Sequence, residues 1–291
     1  MSTEPSIPAV PSSLAEQALT MDSTAPAQST DPVVVFEDVS IHFQGPPVLQ
    51  HISFTVGPHE TRIVLGPASV GKSVLLKLAN GLLRPCAGEI QLFGQIISKL
   101  PEESLLPLRR RTGMVFQEGA LFDSLSVREN VAYQLRVENL PEKKIERRVR
   151  QALRFVELEH TIDLFPASLS GGMRRRVAIA RAVIAQPDLL LYDSPTGGLD
   201  PVTSTTIIEL IVKERDVYRT PSLLVTHRLQ DAFMLTSHRF DVEQGRMVPL
   251  PKGQTDPNTS FLMLNQGHLI FDGSLHELVR SQDPFVKAFL S

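Results

Sequence analysis

Residues 66–73 read Gly66-Pro67-Ala68-Ser69-Val70-Gly71-Lys72-Ser73, a full match to G-x-x-x-x-G-K-[ST]. No other stretch constrains the fold as tightly. A loop that wraps a polyphosphate with backbone N–H groups cannot carry side chains where the backbone comes close, which calls for Gly66 and Gly71. Lys72 adds a full positive charge at the β and γ phosphates, and Ser73 offers a hydroxyl to Mg²⁺. Val74 opens the next helix, whose positive end points at the phosphates. The flanks agree. Residues 61–65 form a short apolar strand, and residues 74–79 read as a helix stopped by Asn80-Gly81. ATP and Mg²⁺ are the expected ligands.

Strands and helices alternate through most of the chain, which predicts an α/β fold with a parallel sheet. Residues 33–36, 39–43, 52–56, 89–93, 114–116, 189–192 and 223–225 have strand character. Residues 173–185 and 203–215 read as helices. A charged helical stretch over residues 127–156 is taken as a small lobe, spanning about 120–168, with its charges on a solvated face. Residues 1–32 are rich in Pro, Ser, Thr and Ala and contain no Lys or Arg, so they read as a disordered tail. The folded domain is expected over 33–291, and no internal repeat is visible.

Composition narrows the function classes. A formal net charge of −3 gives no basic field for nucleic acid. One cysteine, Cys86, excludes a disulfide framework within the chain and fits a reducing compartment. No apolar run approaches the roughly 20 residues of a membrane span, and the N-terminus lacks the pattern of a signal peptide. Work at a membrane would therefore go through partners.

Two further segments point at phosphate. Leu189-Leu190-Leu191-Tyr192-Asp193 is an apolar strand ending in a carboxylate, which places Asp193 at the ligand-binding edge of a parallel sheet, where it can hold Mg²⁺. Alone, such a strand is commonplace; beside a phosphate loop it gains meaning. In Leu169-Ser170-Gly171-Gly172-Met173, Ser170 can cap the following helix and the two glycines leave its start bare. One nucleotide does not need two such helix ends from one chain. Two copies packed head to tail would close the phosphate loop of one against this helix end of the other, with ATP between them.

In this order and spacing the motifs resemble the ABC transporter ATPase family over about residues 33–291. The resemblance implies a P-loop NTPase (RecA-like) core with a parallel sheet, an antiparallel β subdomain and a small helical lobe. It implies that Phe43 stacks on adenine and that Gln117 touches Mg²⁺ and the attacking water. It further implies that Gly197-Gly198-Leu199-Asp200 crosses the dimer seam, with Asp200 at the nucleotide, and that His227 senses the γ-phosphate. A homodimer, a multi-span permease and a place on the cytoplasmic face of the plasma membrane follow from the same likeness.

The chain departs from the family pattern at several positions. Met173 stands where Gln is usual. Ser194 follows Asp193, where the family has a Glu that positions or deprotonates water. A serine hydroxyl is no base at neutral pH without help, so hydrolysis is expected to be slow, with Glu118 as a substitute base to consider. Residues 241–260, with Gln244-Gly245, Pro249, Pro251 and Pro257-Asn258, look like an inserted surface loop. Two arginine clusters are read structurally: Arg109 to Arg111 on a solvated face, and Arg174 to Arg176 pairing with acids of the lobe.

The run from Phe116 to Ala132 and the signature Met173 are similar to the ATPases of Mce/Mla-type lipid transport systems, with weaker likeness at residues 270–273 and 283–286. This implies phospholipid or another hydrophobic cargo and an extracytoplasmic Mce-like component. Two alternatives stay beside it: the ATPase of a polar amino-acid importer, and an ATP-gated dimerisation switch with little turnover. A superfamily member acting on DNA or ribosomes is disfavoured, since the chain has no second cassette and no basic face.

Overall fold

The structure, a computed structural model, describes residues 31–291. The expected disordered tail lies outside the described residues except for its last two positions. A six-stranded sheet runs through the middle in the order β12-β11-β3-β8-β7-β6. Its members are β3 (Thr61–Leu65), β6 (Thr112–Val115), β7 (Leu189–Asp193), β8 (Ser222–Val225), β11 (Thr259–Asn265) and β12 (His268–Gly273). All neighbours are parallel except β12, which pairs antiparallel with β11 at the edge.

The central strands β3, β7 and β8 are buried along their whole length, as a sheet covered on both faces requires. Their alternate residues feed two separate cores. Ile63, Leu65, Leu190, Tyr192 and Leu224 point to one face, and Val64, Leu189, Leu191, Leu223 and Val225 to the other. The second face packs on α1 (Lys72–Ala79), α2 (Glu102–Arg110) and an antiparallel sheet ordered β2-β1-β4-β5. That sheet comprises β1 (Val34–His42), β2 (Pro47–Val56), β4 (Ala87–Leu92) and β5 (Gln95–Ile96). The first face packs on α3 (Val127–Val137), α4 (Glu142–Phe155), α5 (Gly171–Val183) and α6 (Pro201–Tyr218). The fold is thus the expected ABC-type P-loop fold, with its mixed sheet and antiparallel β subdomain.

Several expectations need correction. The two strand-like runs near residue 40 are one strand, β1, whose register to β2 and β4 shifts around Asp38 at φ 52°. Helix α2 carries Pro107 in its interior, which hid it from a reading by propensity. The segment 241–260 is not all loop. β9 (His238–Asp241) and β10 (Arg246–Pro249) form a hairpin that packs on α6, and Thr259 already opens β11. The chain continues through α7 (Leu229–Ser237) before the hairpin and ends in α8 (Leu275–Arg280) and α9 (Pro284–Leu290).

The arginine clusters depart in part from what was expected, although Arg110 and Arg111 are exposed as expected. Arg109 is 18% exposed at its side chain and donates to the carbonyls of Asn80 and Gly81, tying α2 to the end of α1. Arg111 pairs with Asp188 and lies over the Phe93 ring. Arg174, Arg175 and Arg176 donate to backbone carbonyls of Leu169, Phe116 and Val156 rather than to acids of the helical segment. Among the described residues no helix is long and apolar enough to cross a membrane.

Candidate functional site

Four adjacent strands in the order β3-β8-β7-β6 end along one edge of the sheet, and a candidate segment leaves each of them. Val64 and Asp193 are both level with Val225, and Val115 is level with Tyr192. The residues just beyond these strand ends are Gly66, Thr226-His227, Ser194 and Gln117. They therefore emerge side by side, as ligand-binding loops do in parallel sheets. Between them lies a cleft of about 420 Å³ lined by Ala68, Ser69, Gly71, Lys72, Ser73, Val74, Gln117, Ser194, His227 and Val48.

The phosphate loop holds its shape through left-handed residues. Ser69 has φ 61° and Gly71 φ 101°, so successive N–H groups curl inward. The glycines serve packing as well as phosphate access. A Cβ on Gly66, at φ 146°, would sit 2.5 Å from the Leu264 carbonyl oxygen of β11, and one on Gly71 would sit 2.8 Å from Leu49 Cδ2. Lys72 Nζ donates to the carbonyls of Gly66 and Pro67 at 2.8 and 2.5 Å, which poises its charge over the loop. Burial lowers the Lys72 ammonium from its ordinary range, and the Asp193 charge acts the other way.

Parity along β7 puts Asp193 on the same face as Leu189 and Leu191, toward α1. There Ser73 Oγ donates to Asp193 Oδ1 at 2.9 Å. Burial pushes the Asp193 carboxyl up, opposed by the Ser73 hydroxyl and by Lys77, Lys72 and Arg175. A hydroxyl and a carboxylate in contact beside a phosphate loop are hard oxygen donors, a set that suits Mg²⁺ with the remaining positions left to phosphate and water. Ser73 and Asp193 would hold that ion, with Gln117 at the other side of the cleft.

Ser194 is buried and left-handed, at φ 45°. Its N–H donates to Val225 O and its carbonyl accepts from Gly197 N, both at 2.9 Å. Arg175 reaches the same carbonyl at 3.3 Å, Phe116 O at 3.2 Å and Gly197 O at 3.4 Å. One buried guanidinium on α5 thus joins the residue before Gln117, the position after Asp193 and the Gly197 turn. Gln117 lies against that turn, with its Nε2 3.5 Å from where a Gly197 Cβ would be. Arg181, also on α5, holds the carbonyls of Gly119 and Ala120. Asn130, fully buried, accepts from Phe122 N and donates to the carbonyls of Phe122, Leu125 and Ser126, fixing the segment after Gln117. Glu118 is exposed and is not among the residues lining the cleft.

Other expected residues lie elsewhere. Ser170 caps α5 by accepting from Met173 N at 3.2 Å. Gly171 is exposed, but Gly172 is buried, because a Cβ there would sit 2.3 Å from Thr203 Cγ2 of α6. Asp200 caps α6 through Thr203 N at 2.9 Å. These residues are not part of the cleft wall in their own chain. Phe43 is 53% exposed at the end of β1 and does not line the cleft, whereas Val48 of β2 does. Sequence reading missed Val48, Arg175 and Asn130. Of these, only the alternation of β2 carried any signal.

A family model described as ABC transporter matches residues 49–197, just over half of the chain. The methionine import ATP-binding protein MetN 2 of Paraburkholderia xenovorans is 36% identical over 239 residues, covering 79% of this chain and 61% of that protein. A MetN 2 of Bacillus cereus is 38% identical over 200 residues, covering 69% and 59%. This chain thus spans about three fifths of the length of the curated relatives it matches. Those relatives are described as methionine import ATP-binding proteins, not as lipid-transport ATPases. Among solved structures, cbiO1 from Clostridium perfringens, part of the transporter complex cbiONQ, superposes with a TM-score of 0.72 at 27% identity, covering 89% of this chain and 95% of that one. The dimeric cassette MJ0796 bound to ADP and Pi gives 0.70 at 25% identity, covering 83% and 98%. With the four strand-end loops in place around one cleft, the chain belongs to the ABC transporter family.

Proposed function

We propose that this protein is the ATP-hydrolysing subunit of an ABC importer for an amino acid or a similarly small polar solute, acting as a homodimer beneath a membrane permease. The observation that carries the ATPase reading is the contact of Ser73 Oγ with Asp193 Oδ1 beneath the Lys72 loop, since it brings the two proposed Mg²⁺ donors to the phosphates. Lys72, Mg²⁺ and His227 would supply the charge stabilisation on which phosphoryl transfer chiefly depends. Gly66, Pro67 and Val70 shape the loop behind the residues that face the nucleotide.

The dimer reading rests on the placement of Ser170, Gly171 and Asp200 outside their own cleft, free to meet a second copy. Dimeric cassettes among the similar structures support it. The amino-acid reading rests on the methionine-import relatives and replaces the lipid cargo and Mce-like component expected from the local likeness at residues 116–132. For the permease, the surface after Gln117 offers Phe122 and Tyr133, half-exposed rings with centroids 5.0 Å apart, beside the exposed Val137. Such a cluster is available to a partner helix.

ATP turnover by the protein with its permease in proteoliposomes tests the enzyme reading, with Lys72→Ala as the blank. Wild-type turnover above the blank is expected. Turnover equal to the blank would favour an ATP-gated clamp, the reading that Ser194 in the water-side position supports. Uptake of radiolabelled amino acids against transfer of labelled phospholipid in the same vesicles decides the cargo class.

A further inference from the structure

We propose that the cavity enclosed by α4, the C-terminal end of α5 and the last turns of α6 is a regulatory binding site for a small amphipathic amine, with Glu214 as the counter-charge. The cavity holds about 250 Å³, roughly eight waters' worth of space. Ala152, Ile184, Pro187 and the Tyr218 ring supply apolar wall, while Arg148 and Glu214 are its charged lining.

Glu214 has no evident structural reason to be an acid. Its residue is 4% exposed; one carboxyl oxygen accepts from Thr220 Oγ1 at 2.9 Å, and Oε2 is buried with no hydrogen-bond partner. A buried acceptor left unpaired costs on the order of 1–3 kcal/mol, so a merely structural position would do better with an apolar residue. The Tyr192 hydroxyl is likewise buried and unpartnered, and the Glu214 charge helps hold that phenol well above its ordinary range. Burial raises the Glu214 carboxyl to about 7, against the pull of Thr220. An ammonium in the cavity would give the Glu214 carboxylate a counter-charge and keep it ionised. Oε2 lies out of reach behind the wall here, so the pairing requires the side chain to turn that oxygen toward the cavity, where a short apolar body would fill the wall side. Arg148 is not among the groups that shift Glu214, and its guanidinium donates to Gln186 Oε1 at 3.2 Å.

The position explains why occupancy would be felt at the nucleotide. Tyr192 faces this side of the sheet, while the next residue, Asp193, faces α1 and Ser73. Helix α5 runs from the Ser170 cap to the cavity wall, and α6 runs from the Asp200 cap to Glu214. A ligand here would touch both helices whose other ends we place at the dimer seam.

The test uses the full chain at pH 8 and three probes of one shape: phenethylamine, 2-phenylethanol and 3-phenylpropionate. Isothermal titration is expected to show phenethylamine at least tenfold tighter than the alcohol and the carboxylate. Glu214→Gln should abolish that preference, and Ala152→Leu, which fills the cavity, should weaken the amine at least tenfold. Apparent affinity for a fluorescent ATP analogue should shift at least threefold with saturating amine in the wild type only. Both variants should still bind the analogue in the absence of amine, which separates this proposal from the nucleotide reading. No binding to the wild type, meaning a cavity filled by water only, overturns the proposal. Equal binding of all three probes, tighter carboxylate binding, or a preference that survives Glu214→Gln does the same. An ATP affinity indifferent to the amine overturns the regulatory role.

Discussion

Ser194 stands where the family resemblance leads one to expect a water-activating glutamate. It is buried at the wall of the phosphate cleft with Gln117 and His227, where a longer acidic side chain would reach the water side. General-base assistance is typically worth about 10² to 10⁴ in rate. Ser194→Glu is therefore expected to raise steady-state ATP turnover by about 10²-fold, measured by phosphate release; an unchanged or lower rate would show that the base acts elsewhere. Gly66 illustrates a different constraint. Its φ of 146° and the Leu264 carbonyl 2.5 Å from a would-be Cβ make Gly66→Ala doubly strained. A loss of about 2–3 kcal/mol in denaturant melts is expected, besides any loss of ATP binding. Lys72, Ser73 and Asp193 were legible in the sequence because a short loop and a strand end fix them locally. Val48, Arg175 and Asn130 were not. Val48 gains its place from a separate sheet, and the other two from hydrogen bonds to backbone groups, which leave no mark of side-chain type on the partner.

At the scale of elements, four strands of the central sheet, β3, β6, β7 and β8, were easy to read, whereas β11 and β12 and the pieces joined by unusual backbone were not. β3 was found end to end, since an unbroken apolar run between turn signals leaves little choice. Helix α2 was missed because Pro107 breaks the local pattern, yet tertiary bonds secure it. Arg109 spans from α2 to the open C-terminal carbonyls of α1 at Asn80 and Gly81, at 3.1 and 2.7 Å. Its pairing with the exposed Glu102 adds little, since solvent screens it. Arg109→Ala is expected to cost about 2 kcal/mol, the worth of hydrogen bonds from a charged group, and to lower Tm by several degrees in thermal melts. Arg109→Lys should recover little, because an ammonium cannot fork to two carbonyls in the same way. Stability unchanged in both variants would mean that α2 is held by Leu105 and Leu108 alone.

At the scale of the whole molecule, two apolar layers clamp one sheet, and the face packed on α3 to α6 contains a buried acid that pays for itself only when neutral. Glu214 accepts from the Thr220 hydroxyl, its charge acts on Tyr192 of β7 and Tyr218 of its own helix, and Arg148 of α4 shares the cavity lining. Folding lifts its carboxyl from 4.5 to about 7, chiefly through burial. Between those values the folded chain holds a proton that the unfolded chain has released, so rising pH favours unfolding. The contribution is complete below about 4.5 and is lost as pH climbs through about 7, and the full shift corresponds to about 3 kcal/mol. Glu214→Gln removes this titration while preserving shape. The difference in unfolding free energy, wild type minus variant, is therefore expected to fall by about 2–3 kcal/mol from pH 5 to pH 8 in urea titrations. Other titrating groups are common to both proteins and cancel in that difference. A saturating amine at pH 8 should restore much of the wild-type deficit and leave the variant unmoved, because only the ionised carboxylate has a charge to be met. A difference that stays flat across this range would mean that Glu214 is ionised in the folded state and already satisfied.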